Sequence, residues 1–94
     1  MDENLDKDTK YESDLGVLVS KMDFLSHQEN FNISEARGLG REYQRLTREI
    51  MRDSSRSEEN LLNWTNKLCY DFGPIYTKLS LLTYAKREQN GERF

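Results

Sequence analysis

The chain is poor in the residues that usually mark chemistry. It holds one cysteine, one histidine and one proline in 94 residues, and each scarcity removes a class of protein. A lone Cys69 cannot close an intramolecular disulfide, so a disulfide-stapled secreted domain is excluded and a reducing compartment, the cytoplasm, is expected. With His27 and Cys69 the sole members of their types, no zinc set can be built from His and Cys, and no Glu-x-x-His pair suggests a dimetal bundle site. His27 falls on the polar side of its helix and reads as a surface residue, while Cys69 reads as a small buried hydrophobe on a helix shoulder. Gly38, Leu39 and Gly40 lack the preceding strand and the Lys-Ser/Thr of a phosphate loop. The expectation is a protein without catalysis, metal or cofactor.

Long apolar runs are also missing. The first thirty residues open on acids and contain no unbroken hydrophobic stretch, so neither a signal peptide nor a transit peptide is read there, and nothing spans a membrane. The Asn-x-Ser/Thr triplets at 32–34 and 63–65 then have no meaning as glycosylation sites. Fourteen Lys and Arg against 17 Asp and Glu leave a net charge of −3, too balanced to announce a nucleic-acid coat. Apolar residues make up 35% of the chain, enough for one small core.

What is present is helical periodicity. Residues 1–8, rich in acids, are expected as a flexible arm, with a single domain over 9–94. Tyr11, Leu15, Leu18, Met22 and Leu25 recur at spacings of three and four, which predicts a helix over 9–30 with Thr9 and Glu12 as its capping box. A second helix is predicted over 35–53, capped by Ser34, with Ala36, Leu39, Tyr43, Leu46 and Ile50 facing the core. Gly38 and Gly40 near its start are read either as a sign that regular helix begins only near Arg41, or as small residues that admit a neighbour to the backbone. In the last third Leu61, Trp64, Leu68, Phe72, Ile75, Leu79 and Leu82 keep helical phase through Gly73 and Pro74. Proline must bend or restart a helix, but two residues are too few to reverse it, so one rod is expected over 57–72 and 74–89, ended by Asn90 and Gly91. The predicted class is all-α: a bundle of three long helices, the third kinked or broken at Gly73 and Pro74, with a four-helix bundle as the alternative.

Two faces of these helices ask for a function. Arg37, Arg41, Arg45, Arg48, Arg52 and Arg56 fall within an arc of roughly 100° opposite the apolar stripe, and no lysine occurs between Met22 and Asn66. Guanidinium forks grip phosphate or carboxylate in bidentate fashion, so this stripe is a candidate site for a phosphate-bearing ligand, a nucleotide or nucleic acid, or for an acidic partner. A solvated face is the plainer reading, since Glu42 and Glu49 each stand three residues before an arginine. Single-strand nucleic-acid binding fits poorly because Tyr43, the lone aromatic of the second helix, points to the core.

The second face is apolar. Val17, Phe24 and Phe31 repeat every seven residues away from the main stripe of the first helix, and Tyr70, Leu81 and Tyr84 lie away from the core line of the third. Helices apolar on two sides must pack extra neighbours or expose the second side. These six residues are therefore expected to bind protein, making the chain a small regulator or inhibitor that occupies a partner's surface, with a homodimer as the default assembly.

Overall fold

The computed structural model describes residues 3–89 and 91, with side chains from Asp6 onward. The fold is an all-α bundle. Helix α1 covers Glu3–Ser26, α2 Ile33–Arg52, α3 Glu58–Asn66 and α4 Gly73–Gln89, with a π-helical turn over Lys67–Asp71 joining the last two. Helices α1, α2 and α4 pack against one another, and α3 continues into α4 through the π turn, giving a body of 51 × 23 × 19 Å.

The helix ends follow from caps and from tertiary anchors. Asn32, not Ser34, caps α2: its side-chain oxygen accepts the Glu35 amide at 3.0 Å, and Ile33 is already helical. Ser57 caps α3 by accepting from the Asn60 amide at 3.1 Å. Helix α1 starts six residues before the expected Thr9, so Thr9 and Glu12 lie in its interior and do not form a capping box. The early start has a tertiary cause, because Asp8 is held by Arg56 and Asn60. Residues 1 and 2 of the expected arm lie outside the described residues.

The core is formed by Leu15, Leu18, Val19, Met22 and Leu25 of α1, Ala36, Tyr43, Leu46 and Ile50 of α2, and Trp64, Leu68 and Leu79 of the last third, with Phe31 from the first loop. Tyr11, Leu39, Phe72, Ile75 and Tyr76 pack against its edge. Leu82, expected in the core, is 36% exposed, and Thr83 is buried in its place with its hydroxyl donating to the Leu79 carbonyl.

That shift originates in the bend. In the π turn the Phe72 amide donates to the Lys67 carbonyl at 3.0 Å, five residues back, instead of to Leu68. The extra residue per turn rotates everything downstream by about 100°. The Leu68 carbonyl, bypassed by Phe72, accepts instead from the Tyr43 hydroxyl of α2 at 3.1 Å in the core. Burial pushes the Tyr43 phenol up to about 12, with Cys69 and Tyr76 adding to the effect, so it stays a neutral donor at physiological pH. The wide turn also carries Cys69 to the surface, where a small buried hydrophobe was expected. Gly91, at φ +79°, follows α4 and donates its amide to the Glu88 carbonyl, the expected stop; Asn90 lies outside the described residues.

Gly73 is required by this geometry. A Cβ there would sit 2.3 Å from the Leu68 carbonyl oxygen, a backbone atom that cannot swing aside. Helix propensity alone predicts that alanine gains about 1 kcal/mol over glycine; at Gly73 the sign should reverse. Gly73→Ala is expected to lose about 1–3 kcal/mol through forced backbone displacement, whereas Gly38→Ala, with nothing within 4 Å of the added carbon, should gain about 0.5–1 kcal/mol. Urea denaturation of the two variants beside the parent checks both signs, and a stabilised Gly73→Ala would contradict the account of the bend.

Candidate functional site

The six arginines do not form one uniform stripe. Arg37, Arg41, Arg48 and Arg52 are exposed on α2, and among the described residues none of them makes an ion pair. Arg45 is exposed but engaged by neighbours on its own helix: Glu42 one turn before it, with a second Nε contact at 3.1 Å, and Glu49 one turn after it. The hydrogen bond from Arg45 holds the Glu42 carboxyl below its ordinary range.

Arg56 corrects the expectation outright. Its side chain is fully buried. Helix α2 ends at Arg52, and an Asp53 turn follows in which Asp53 Oδ1 accepts from the Ser55 amide at 3.0 Å, so helical phase no longer sets where Arg56 points. The guanidinium turns inward. Its Nε donates to the Ile50 carbonyl at 2.8 Å, and Nη1 donates to Asp8 Oδ1 at 2.6 Å and to Asn60 Oδ1 at 2.7 Å. Asn60 completes the ring by donating Nδ2 to Asp8 Oδ2 at 3.0 Å. The rings of Tyr11 and Trp64 each lie with their centroids 5.8 Å from the guanidinium carbon. This arginine belongs to the fold and is no ligand site.

The apolar seam divides in a similar way. Val17, Phe24, Tyr70, Leu81 and Tyr84 are 56%, 68%, 77%, 65% and 52% exposed. Phe31 is 6% exposed and belongs to the core. The seven-residue repeat fails there because α1 stops at Ser26, so Phe31 sits on a loop whose direction the heptad does not govern. Lys86 of α4 pins that loop, donating to the Phe31 carbonyl at 2.6 Å with its ammonium 4.4 Å from the ring centroid. Leu62 is 61% exposed and joins the uncovered apolar residues.

A feature that sequence reasoning missed lies between α2 and α4. Arg37, Gly40, Arg41 and Gln44 form one wall of a cleft of about 380 Å³, Tyr76, Ser80, Tyr84 and Arg87 form the other, and Met22, Ala36 and Leu79 lie at its base. Three arginines border it and, among the described residues, no carboxylate does. Tyr76 is fixed from two sides, stacked on Tyr43 with centroids 4.5 Å apart and accepting from Gln44 Nε2 at 2.7 Å. Gly40 lies beneath that ring, where a Cβ would meet Tyr76 Cε2 at 3.7 Å. Helix α2 runs unbroken through both glycines, so regular helix does not wait for Arg41. The small residue at 40 was the one sequence signal of the cleft; the opposite wall comes from α4, whose register depends on the π turn.

His27 is exposed at the end of α1, its Nδ1 2.8 Å from the Asp23 carbonyl oxygen. Among the described residues no three His, Cys, Asp or Glu side chains converge as a metal site, and no helix is long and apolar enough to cross a membrane.

The buried Arg56 network makes stability depend on pH in a defined direction. Burial raises the Asp8 carboxyl, but hydrogen bonds from Asn60, Arg56 and Trp64 together with the Arg56 charge outweigh it and hold the group below its ordinary value. A depressed carboxyl contributes stability that is complete above its unfolded value, about 4, and is lost as pH falls through the folded value. Asp8→Asn should cost about 3 kcal/mol at pH 7, because it removes the nearer of the two counter-charges of a buried guanidinium and leaves only Asp53, 3.9 Å from Nε. The difference between parent and variant should shrink as pH is lowered from 5 through the folded value, where the parent's carboxyl becomes protonated as well. Urea titrations of both proteins across that range test this, and a gap independent of pH would assign the loss to packing alone.

The chain matches no family model, no curated protein and no solved structure.

Proposed function

We propose that this chain is a small non-enzymatic regulator, resident in the cytoplasm, that acts by occupying a surface of another protein and that associates with itself through the same kind of apolar contact. On this reading α3, the π turn and α4 act as one bent rod, the third long member of the bundle. The observation that carries the proposal is the exposure of Val17, Phe24, Tyr70, Leu81 and Tyr84, each more than half accessible on a chain with a core of only thirteen buried hydrophobic residues among those described. Leaving such side chains in water forgoes roughly 1.5–3 kcal/mol each that burial would return. Aromatic side chains carry large contact area at low entropy cost and dominate the centres of protein interfaces.

A second-copy contact is the simplest occupant, since a two-fold dimer uses one surface twice. Phe24→Asp and Tyr84→Asp alter residues outside the buried core, so each should leave the helical circular dichroism and denaturation midpoint near those of the parent. Light scattering coupled to size exclusion should show the parent heavier than one 11.2 kDa chain and both variants as monomers. A parent that runs as a monomer at every concentration overturns the dimer.

A second reading, a phosphate-bearing ligand held by arginines, draws support from a narrower region than the whole of α2. Only Arg37 and Arg41 of the six arginines border the cleft.

A further inference from the structure

We infer that the cleft between α2 and α4 is a binding site for a small organic phosphate with a flat aromatic part, of nucleoside-monophosphate type. This goes beyond the protein-binding reading and stands independently of it.

The charge of the occupant follows from the walls. Arg37 and Arg41 stand one helical turn apart on α2, Arg87 borders the cleft from α4, and no Asp or Glu among the described residues lines it. Arg37 and Arg41 make no ion pair among the described residues, in contrast to Arg45 one turn further on, which two glutamates engage. Among the described residues the α2 side of the cleft thus carries two guanidinium groups that no carboxylate engages. Side by side they concentrate positive potential over a low-dielectric floor, which favours an anion. A phosphate monoester offers three terminal oxygens to the guanidinium forks of Arg37 and Arg41, where a carboxylate offers two.

The rest of the occupant follows from the floor and the volume. Met22, Ala36 and Leu79 give an apolar base, and Tyr76 and Tyr84 give aromatic surface. Inorganic phosphate alone would leave that surface wet. Gln44 and Ser80 place polar groups beside it, able to meet the heteroatoms of a base or sugar. The volume, about 380 Å³, lies in the lower part of the 300–1,000 Å³ range of small-ligand sites.

The site is also built to hold its shape. Tyr76 is braced by the stack on Tyr43 and by the Gln44 hydrogen bond, and Tyr43 is fixed in turn by the Leu68 carbonyl. A ligand thus meets a wall already ordered, which lowers the entropy cost of binding.

Titration of the isotope-labelled chain with adenosine monophosphate, adenosine and inorganic phosphate, followed by amide chemical shifts, tests the assignment. Adenosine monophosphate should move the amides of Arg37, Gly40, Arg41 and Ser80 to saturation. Adenosine and phosphate should each bind at least about tenfold more weakly, because each keeps only half of the complementarity. The double variant R37A/R41A, whose spectrum reports directly whether it folds, should weaken the nucleotide by about tenfold or more. R48A/R52A removes the same charge from the same helix outside the cleft and should weaken it by less than about twofold at physiological salt. Absence of saturable shifts at millimolar nucleotide, equal affinity for inorganic phosphate, or equal loss in the two double variants would each overturn the assignment. None of these outcomes depends on whether Phe24→Asp changes the oligomeric state.

Discussion

The bundle is organised around one buried ion pair. Arg56 sits on the short connection between α2 and α3 with its guanidinium fully enclosed, and its partners come from three places in the chain: Asp8 in α1, Ile50 at the end of α2 and Asn60 in α3. A guanidinium out of water needs its charge opposed and its donors met; here Asp8 opposes the charge and Nε and Nη1 are hydrogen-bonded, while Nη2 has no hydrogen-bond partner among the described residues. The demand works in both directions along the sequence. It requires the first turns of α1 to be helical, since Asp8 reaches Arg56 from that helix, and it sets the α2–α3 turn, since Arg56 must fold back to the Ile50 carbonyl. Tyr11 and Trp64 enclose the group and pack edge to face, with centroids 6.4 Å apart, so the polar centre and the aromatic end of the core form one unit. Outside it, Lys67 reaches Glu12 and lies over the Trp64 ring at 5.0 Å, repeating the link between α1 and α3 at the surface.

The other constraint is the bend. Pro74 cannot donate an amide, and the chain resolves this with a π turn just upstream, a glycine where the backbone closes to within side-chain reach of the Leu68 carbonyl, and a tyrosine from α2 that satisfies that carbonyl. Each part needs the others. Without the wide turn the Leu68 carbonyl would take an ordinary helical amide and Tyr43 would bury an unmet hydroxyl. The rotation that the turn introduces then decides the two surfaces of α4: Tyr76, Leu79 and Thr83 turn toward α2, while Leu81, Leu82 and Tyr84 are left exposed.

How far the sequence could be read follows from these two devices. The core face of α2 is legible because the helix is regular from end to end and strongly amphipathic, and its predicted residues Ala36, Tyr43, Leu46 and Ile50 are all buried, with Leu39 at the core's edge. The same holds for Val17 and Phe24, which lie within α1 where helical phase applies. Phe31 and Arg56 were misread for a common reason: both follow a helix end by a few residues, and extending periodicity past a terminus assigns a direction that loop geometry then overrides. Cys69 and Leu82 were misread because one inserted residue changes the phase, and a π turn leaves no mark in composition. The cleft was out of reach for a different reason. Its two walls are formed by residues more than thirty positions apart in the chain, and their alignment is a product of the bend.

The two surfaces that remain differ in what they can recognise. The exposed apolar residues supply area without direction, which suits a protein partner whose own shape provides the specificity. The cleft supplies direction with little area: guanidinium groups from two helices, a braced tyrosine and a polar pair over an apolar floor. Arg37 and Arg41 bring positive charge to its border with no carboxylate among the described residues engaging them, whereas Arg45 is engaged by glutamates, although the chain as a whole carries a net charge of −3. Tyr84 belongs both to that cleft and to the exposed apolar set, so a ligand seated between α2 and α4 would alter the surface offered to a protein partner through a side chain that the two sites share.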